Sequence, residues 1–176
     1  MINFQYLSII LGALSFWVAA IYYVLNLREI SRNRRITLTT TVLEPFMTKE
    51  GYGDLLDLLV MEWVDFEDFK KKYDHKANPE NARMRLAMWN RFETIGALCK
   101  EGLLDVNTLY SGIGGVLQVL WFKFKPIIEM YRETEYDKEA YSNFEYLADR
   151  VYEYTKSKKS TGELVLQAIE KPEIAH

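Results

Sequence analysis

Cysteine occurs once, at Cys99, so this sequence can close no internal disulfide and build no thiolate metal cage. A lone thiol fits a reducing compartment. Histidine occurs only at His75 and His176. His75 stands between Asp74 and Lys76 and reads as a solvated loop residue, not a catalytic base. Cys99 lies in an apolar stripe with no histidine nearby in sequence to ionise it, so it reads as core, not nucleophile. Four prolines and nine glycines are too few for a fibrous or linker-rich chain. The formal charge of -3 offers no basic field, so nucleic acid is not an expected partner. No phosphate loop, dinucleotide fingerprint, nucleophile elbow or zinc spacing is present. No catalytic residue, cofactor or metal is therefore assigned, and an enzyme is disfavoured.

What is abundant is apolar. Hydrophobic residues make up 49% of 176 and aromatics 14%, enough for one packed domain plus an anchor. Residues 6–27 read YLSIILGALSFWVAAIYYVLNL, without a charge. As a helix this run is roughly 33 Å long, sufficient for a hydrocarbon core of ~30 Å. Tyr6 at one end and Tyr22 and Tyr23 near the other suit the membrane interfaces. Arg28, Arg32, Arg34 and Arg35 follow, against Glu29 alone, and no basic side chain precedes the run. The positive-inside rule then predicts a single-pass protein of the cell membrane, with its N-terminus outside and the following domain cytoplasmic.

Two rival readings of the apolar run fit less well. A signal peptide places its basic cluster before the apolar run and a small-x-small site after it. Here the basic cluster follows, and Tyr22-Tyr23 occupies the place where cleavage would fall. A buried helix of a soluble protein is the other, but so long an uncharged run is unusual in so small a domain. Ser8, Gly12, Ser15 and Ala19 share one helical face and would let a second transmembrane helix approach closely. Small residues are also simply common in spans.

The predicted organisation is an anchor at 1–27, a basic juxtamembrane stalk at 28–49, a helical bundle at 50–156 and a mobile tail at 157–176. The stalk continues the helix to about residue 41, and Glu44-Pro45 interrupts it. Leu55, Leu56, Leu58, Leu59 and Trp63 form an apolar helical stripe. A short helix follows Asp65, carrying Phe66, Phe69 and Tyr73 on one side. Asn78-Pro79-Glu80 starts a helix that runs to Lys100 and is closed by Gly102. Asp105 caps the next helix, whose glycines at 112, 114 and 115 suggest close packing or a kink. Pro126 is expected to bend it. A last long helix is expected from about 137 to 156, with a small tail helix at 163–170. The fold class is thus all-α: a transmembrane helix, then a cytoplasmic antiparallel helical bundle.

Two segments repeat a Phe-Glu-x-aliphatic-small pattern: Phe92-Glu93-x-Ile95-Gly96 and Phe144-Glu145-x-Leu147-Ala148. Each glutamate follows a core phenylalanine, so each can turn to the edge of the core. There it needs a cation or donors. Arg132 and Arg91 are the candidate partners. The plainer reading is an ion pair locking two helices. The sharper one is a ligand or metal site between helices, although the Glu-x-x-His spacing of di-iron bundles is missing. Arg28, Arg32, Arg34 and Arg35 determine topology first. They are also candidates for anionic lipid headgroups, at about 1 kcal/mol per basic residue. Setting those four arginines and Glu29 aside leaves 18 basic and 24 acidic residues, so lipid contact belongs to the stalk.

The chain resembles a widespread prokaryotic family of small membrane-anchored helical domains of unknown function. The resemblance rests on the span and its arginines, Trp63 with Phe66-x-x-Phe69, and Asn90-x-Phe92-Glu93-x-Ile95-Gly96. It continues through Gly102-Leu103-Leu104-Asp105, Trp121, Arg132 and Phe144-Glu145-x-Leu147-Ala148. It implies the helical bundle and one structural centre for Glu93, Arg132 and Glu145, and no activity. The leading expectation is a membrane-tethered interaction or scaffold domain with a protein partner or a second copy of itself. A sensor with a small-molecule or metal site around Glu93 and Glu145 is the alternative.

Overall fold

The computed structural model describes residues 4–158. The side chains of residues 5–7, Tyr6 among them, and the expected tail helix at 163–170 lie outside the described residues. Within them the chain is all-helical, with no strand. Seven α-helices follow in order: α1 Phe4–Met47, α2 Lys49–Val60, α3 Phe66–Tyr73, α4 Pro79–Lys100, α5 Val106–Leu109, α6 Gly115–Thr134 and α7 Ser142–Ser157. A π turn, Tyr110–Gly114, joins α5 to α6.

Contacts divide the chain into two compact units, 1–38 and 39–176. The first is helical from Phe4 onward, and no residue of its most apolar window is buried. Its apolar side chains run all round the helix, so no single face is left to pack on a core.

The second unit is a conventional bundle. Its starts are fixed by side chains that accept from orphan amides of the first helical turn. Thr48, Asp65, Asn78 and Asp105 cap α2, α3, α4 and α5 in this way. Pro79 occupies the first turn of α4, where its missing N–H costs nothing. Gly102 ends the α4 region at φ 69°, a left-handed conformation that glycine adopts without strain.

Two element boundaries differ from those the local sequence favours. Glu44-Pro45 does not end the first helix, which runs through Pro45 to Met47. Phe46 in that last turn is buried and stacks on Phe92, with ring centroids 5.3 Å apart. Tertiary packing therefore holds a turn that local propensity disfavours. The last helix begins at Ser142, not near 137. Asp137 instead folds a local turn, its Oδ1 accepting from the Glu139 amide at 2.8 Å, and Tyr141 takes φ 61°. A left-handed residue cannot continue a right-handed helix.

Alternate packing pairs set helix direction. Gln118 meets Thr155, Phe122 meets Tyr152 and Lys125 meets Glu145, so α6 and α7 are antiparallel. Trp89 meets Tyr141 and Phe92 meets Phe144, so α4 and α7, on either side of α6 in the chain, run the same way. The contact between α4 and α7 is the most extensive in the unit. At Gly96 an added Cβ would collide with the Asn143 carbonyl oxygen, so only glycine permits this approach. The core is mostly aromatic. Phe92 stacks on Phe144, and Phe144 packs edge-on to Trp121. Trp63, Phe69, Trp89 and Phe124 form a second cluster beside it. Such pairs add about 0.5–1.5 kcal/mol each beyond area burial.

Candidate functional site

The glutamates of the repeated pattern both reach α7, but they do different things there. Glu93, on α4, accepts from the Phe144 amide at 2.8 Å and from Asn143 Nδ2 at 2.9 Å. Tyr141 offers α7 no side-chain cap, so Glu93 supplies one from another helix. Its charge also faces the positive end of the helix dipole. Glu145, one turn into α7, looks the other way, toward α6. Its Oε2 accepts from Arg132 Nη1 at 3.0 Å, and its Oε1 lies 3.6 Å from Lys125 Nζ. Arg132 Nε donates to the Ala140 carbonyl at 2.8 Å, which ties α6 to the loop before α7.

Arg132 and Glu145 therefore meet, and Glu93 stands apart from both, on backbone. Arg91 joins neither. It is half-buried and lines a shallow apolar depression with Val42, Pro45, Asn90 and Thr94. Among the described residues no three His, Cys, Asp or Glu side chains gather as a metal would require. Cys99 is buried, and burial pushes its thiol up to about 11. His75 is exposed, its Nδ1 2.7 Å from Asp74.

In the N-terminal unit, Arg28, Arg32, Arg34 and Arg35 are all exposed. Arg28, Arg32 and Arg35, at offsets of four and three, share a face. Val24, Leu27, Ser31 and Ile36 lie with them around a shallow concavity of mixed apolar and cationic lining. Ser8, Gly12, Ser15 and Ala19 are exposed along one face of the same helix. Ser15 Oγ donates back to the Leu11 carbonyl at 2.8 Å, so its hydroxyl is satisfied within the helix. A Cβ added at Gly12 would meet nothing within 4 Å.

The sequence reading missed the most unusual polar group. Arg85 is only 2% exposed. Its guanidinium carbon lies 4.9 Å from the Phe69 ring centroid, 4.6 Å from Trp89 and 6.0 Å from Tyr131. Nη2 donates to the Tyr73 carbonyl at 3.3 Å, while Nε and Nη1 make no close, well-directed hydrogen bond. No ion pair reaches Arg85 among the described residues. Burial pushes its pKa down, and the neighbouring tyrosine hydroxyls oppose that shift, Tyr131 by a side-chain hydrogen bond to the guanidinium as well. Desolvation by burial also raises the phenols around it, Tyr131 and Tyr141 to about 12. The signal was available in the spacing. Ala82, Arg85, Trp89 and Phe92 step by three and four along the buried face of α4. Buried Gln118 and Thr155, whose polar atoms lie 3.5 Å apart, escaped notice in the same way.

The geometry describes an all-α domain with a capped and ion-paired joint between α4, α6 and α7, preceded by a long apolar helix. The chain belongs to a family catalogued as a domain of unknown function, DUF4760, whose pattern matches residues 9–151. The match takes in most of the apolar run as well as the packed helices. Searches of curated proteins and of solved structures found no match.

Proposed function

We propose that this protein is a membrane-tethered interaction domain. Residues 6–27 would span the bilayer, Arg28, Arg32, Arg34 and Arg35 would sit among headgroups of the inner leaflet, and the helical unit would work in the cytoplasm. The observation that carries this reading is a long apolar helix with no buried residue in its most apolar window. A core helix of a soluble protein would show the reverse. At roughly 25 cal/mol per Å², exposing so many apolar side chains to water is prohibitive, and lipid removes the cost. Membership of a family found in prokaryotes and anchored in their membranes belongs to the same proposal.

A partner surface is suggested on α2. Leu55 and Leu58 point into the core, while Tyr52, Leu56 and Val60, four apart, remain exposed on the other side. Val64 just beyond is 90% exposed. Contiguous apolar surface rimmed by polar residues is what a protein contact uses. The small-residue face of Ser8, Gly12, Ser15 and Ala19 offers self-association within the bilayer as a second contact.

Alkaline carbonate extraction of vesicles tests the tether. The full chain should stay with the membrane, and a chain beginning at Ile36 should not; full-length material in the wash defeats the proposal. Purification from mild detergent tests the interaction. A bound protein lost on Leu56→Asp, or a dimer lost on Gly12→Ile, is the expected result. A chain that stays single and alone in both cases tells against it. The alternative, a ligand site around Glu93 and Glu145, has less support, because both carboxylates already bind protein groups.

A further inference from the structure

The exposed stripe on α2 is bordered by charge of one sign only. Residues 50–68 read EGYGDLLDLLVMEWVDFED, with seven acids and no basic residue. Among the described residues Asp68 alone of the seven is ion-paired, to Lys72 at 2.8 Å. Glu50, Asp54 and Asp57 follow at offsets of four and three, so they share a face of the helix. That face adjoins the stripe of Tyr52, Leu56 and Val60, for Asp57 lies about 60° around the helix from Val60. On its other side it meets the start of α4. Asp54 and Asp57 line an open hollow of about 410 Å³ there, with Asn78, Glu80, Asn81 and Met84. Three carboxylates share this hollow, and no cation lines it.

The charge decides between the possible occupants of this surface. An anionic leaflet attracts basic residues, at about 1 kcal/mol each, and repels acids, so the stripe is not built for lipid. A second copy laying α2 on α2 would set one acidic row against another. Like charges facing across a contact cost several kcal/mol. A metal ion is not served either, because among the described residues no three acids stand close enough to share one. A protein segment of opposite charge, with an apolar stripe of its own, fits both halves of the surface.

We propose that α2 and the start of α4 form the docking surface for a basic amphipathic helix of a partner protein. The apolar side of that helix covers Tyr52, Leu56 and Val60, a length of ~12 Å or about two turns. An arginine at its edge enters the hollow, where a planar fork of donors can bridge two carboxylates. Lysine, a point charge, fills the same place less well. The inference rests on the interaction reading of α2 and not on the membrane tether.

The test is selection from a display library of amphipathic helices whose charged positions are randomised. The target is the full chain in detergent, after the library has been cleared on empty micelles. The readout is the composition of the retained helices against the starting pool. Arginine beside the apolar stripe should rise about threefold, the yield of one or two partly exposed ion pairs. That bias should fade in high salt. Asp54→Asn with Asp57→Asn should return arginine to its starting frequency while helices are still retained. Leu56→Asp should lose the helices altogether. Should that variant unfold, Val60→Asp, at a position 73% exposed, repeats the measurement. Retained helices without an arginine bias, or with a bias that survives the change at Asp54 and Asp57, overturn the basic partner and leave the α2 contact standing. Retention no better on the wild-type chain than on Leu56→Asp and Val60→Asp overturns the docking surface itself. Carbonate extraction reads the tether separately from either result.

Discussion

The helix of the first unit and the bundle of the second use the same apolar side chains for opposite ends. Leu14 keeps 56% of its surface exposed, whereas Leu117 keeps none. The difference is not in the residues but in their spacing. Around residues 6–27 the apolar side chains leave no polar face, so the helix has no inside to turn toward. From α2 onward they recur at threes and fours, and each helix buries one stripe. Hydrophobicity alone thus says that a residue avoids water, and periodicity says whether protein can provide the shelter.

That contrast can be broken, and the largest effect is expected in the bundle. Phe144 sits between Phe92 and Trp121, fully buried. Phe144→Ala should cost about 3–5 kcal/mol in urea unfolding of the detergent-solubilised chain. Leu14→Ala, at an exposed position, should leave that transition in place. The reverse experiment is Leu14→Arg. It should cost about 2.5–3.5 kcal/mol of membrane insertion and show as released protein in a carbonate wash, with the bundle's unfolding unchanged.

Two glycines sharpen the comparison further. Alanine is the better helix former by up to about 1 kcal/mol, so propensity alone favours the substitution at both positions. At Gly12 nothing stands in the way, and Gly12→Ala should not disturb the bundle's midpoint. At Gly96 the new Cβ meets the Asn143 backbone, and Gly96→Ala should destabilise by about 1–3 kcal/mol. A stabilised Gly96→Ala would mean that α4 and α7 do not approach as described.

The smallest effects separate the two glutamates. Glu93→Ala removes the cap of α7 and should cost about 1–2 kcal/mol, with Glu93→Gln losing less because an amide oxygen still accepts. Glu145→Gln breaks a pair whose side chains are 31% and 16% exposed, and should cost about 0.5–1 kcal/mol. The Glu145 effect should shrink in high salt and the Glu93 effect should persist, since a cap onto backbone is a short-range hydrogen bond. Equal salt dependence would remove the distinction.

Much of the bundle was legible because its punctuation is local. Asp65, Asn78, Gly102 and Asp105 mark element ends through the chemistry of a single turn, and each does so in the structure. Pro45 and Asp137 misled for the same reason. Their local preference was real, but burial of Phe46 outweighed it in one case and a side-chain turn replaced a helix in the other. The polar centre was legible only in part. Glu93, Arg132 and Glu145 could be picked out, but their pairing could not, because both glutamates follow a phenylalanine in the same pattern. Arg85 was overlooked because a charge in a helical stripe ordinarily reads as surface.

The sequence by itself determined that the chain is helical, where most of its helices start, and that one long run has no polar side. Those properties follow from spacing and from bonds spanning a few residues. Only the tertiary structure decided which glutamate caps α7, which one meets Arg132, and that Arg85 lies packed among aromatic rings without an ion pair. These depend on distances between residues dozens of positions apart, and such distances are fixed by the packing of whole helices.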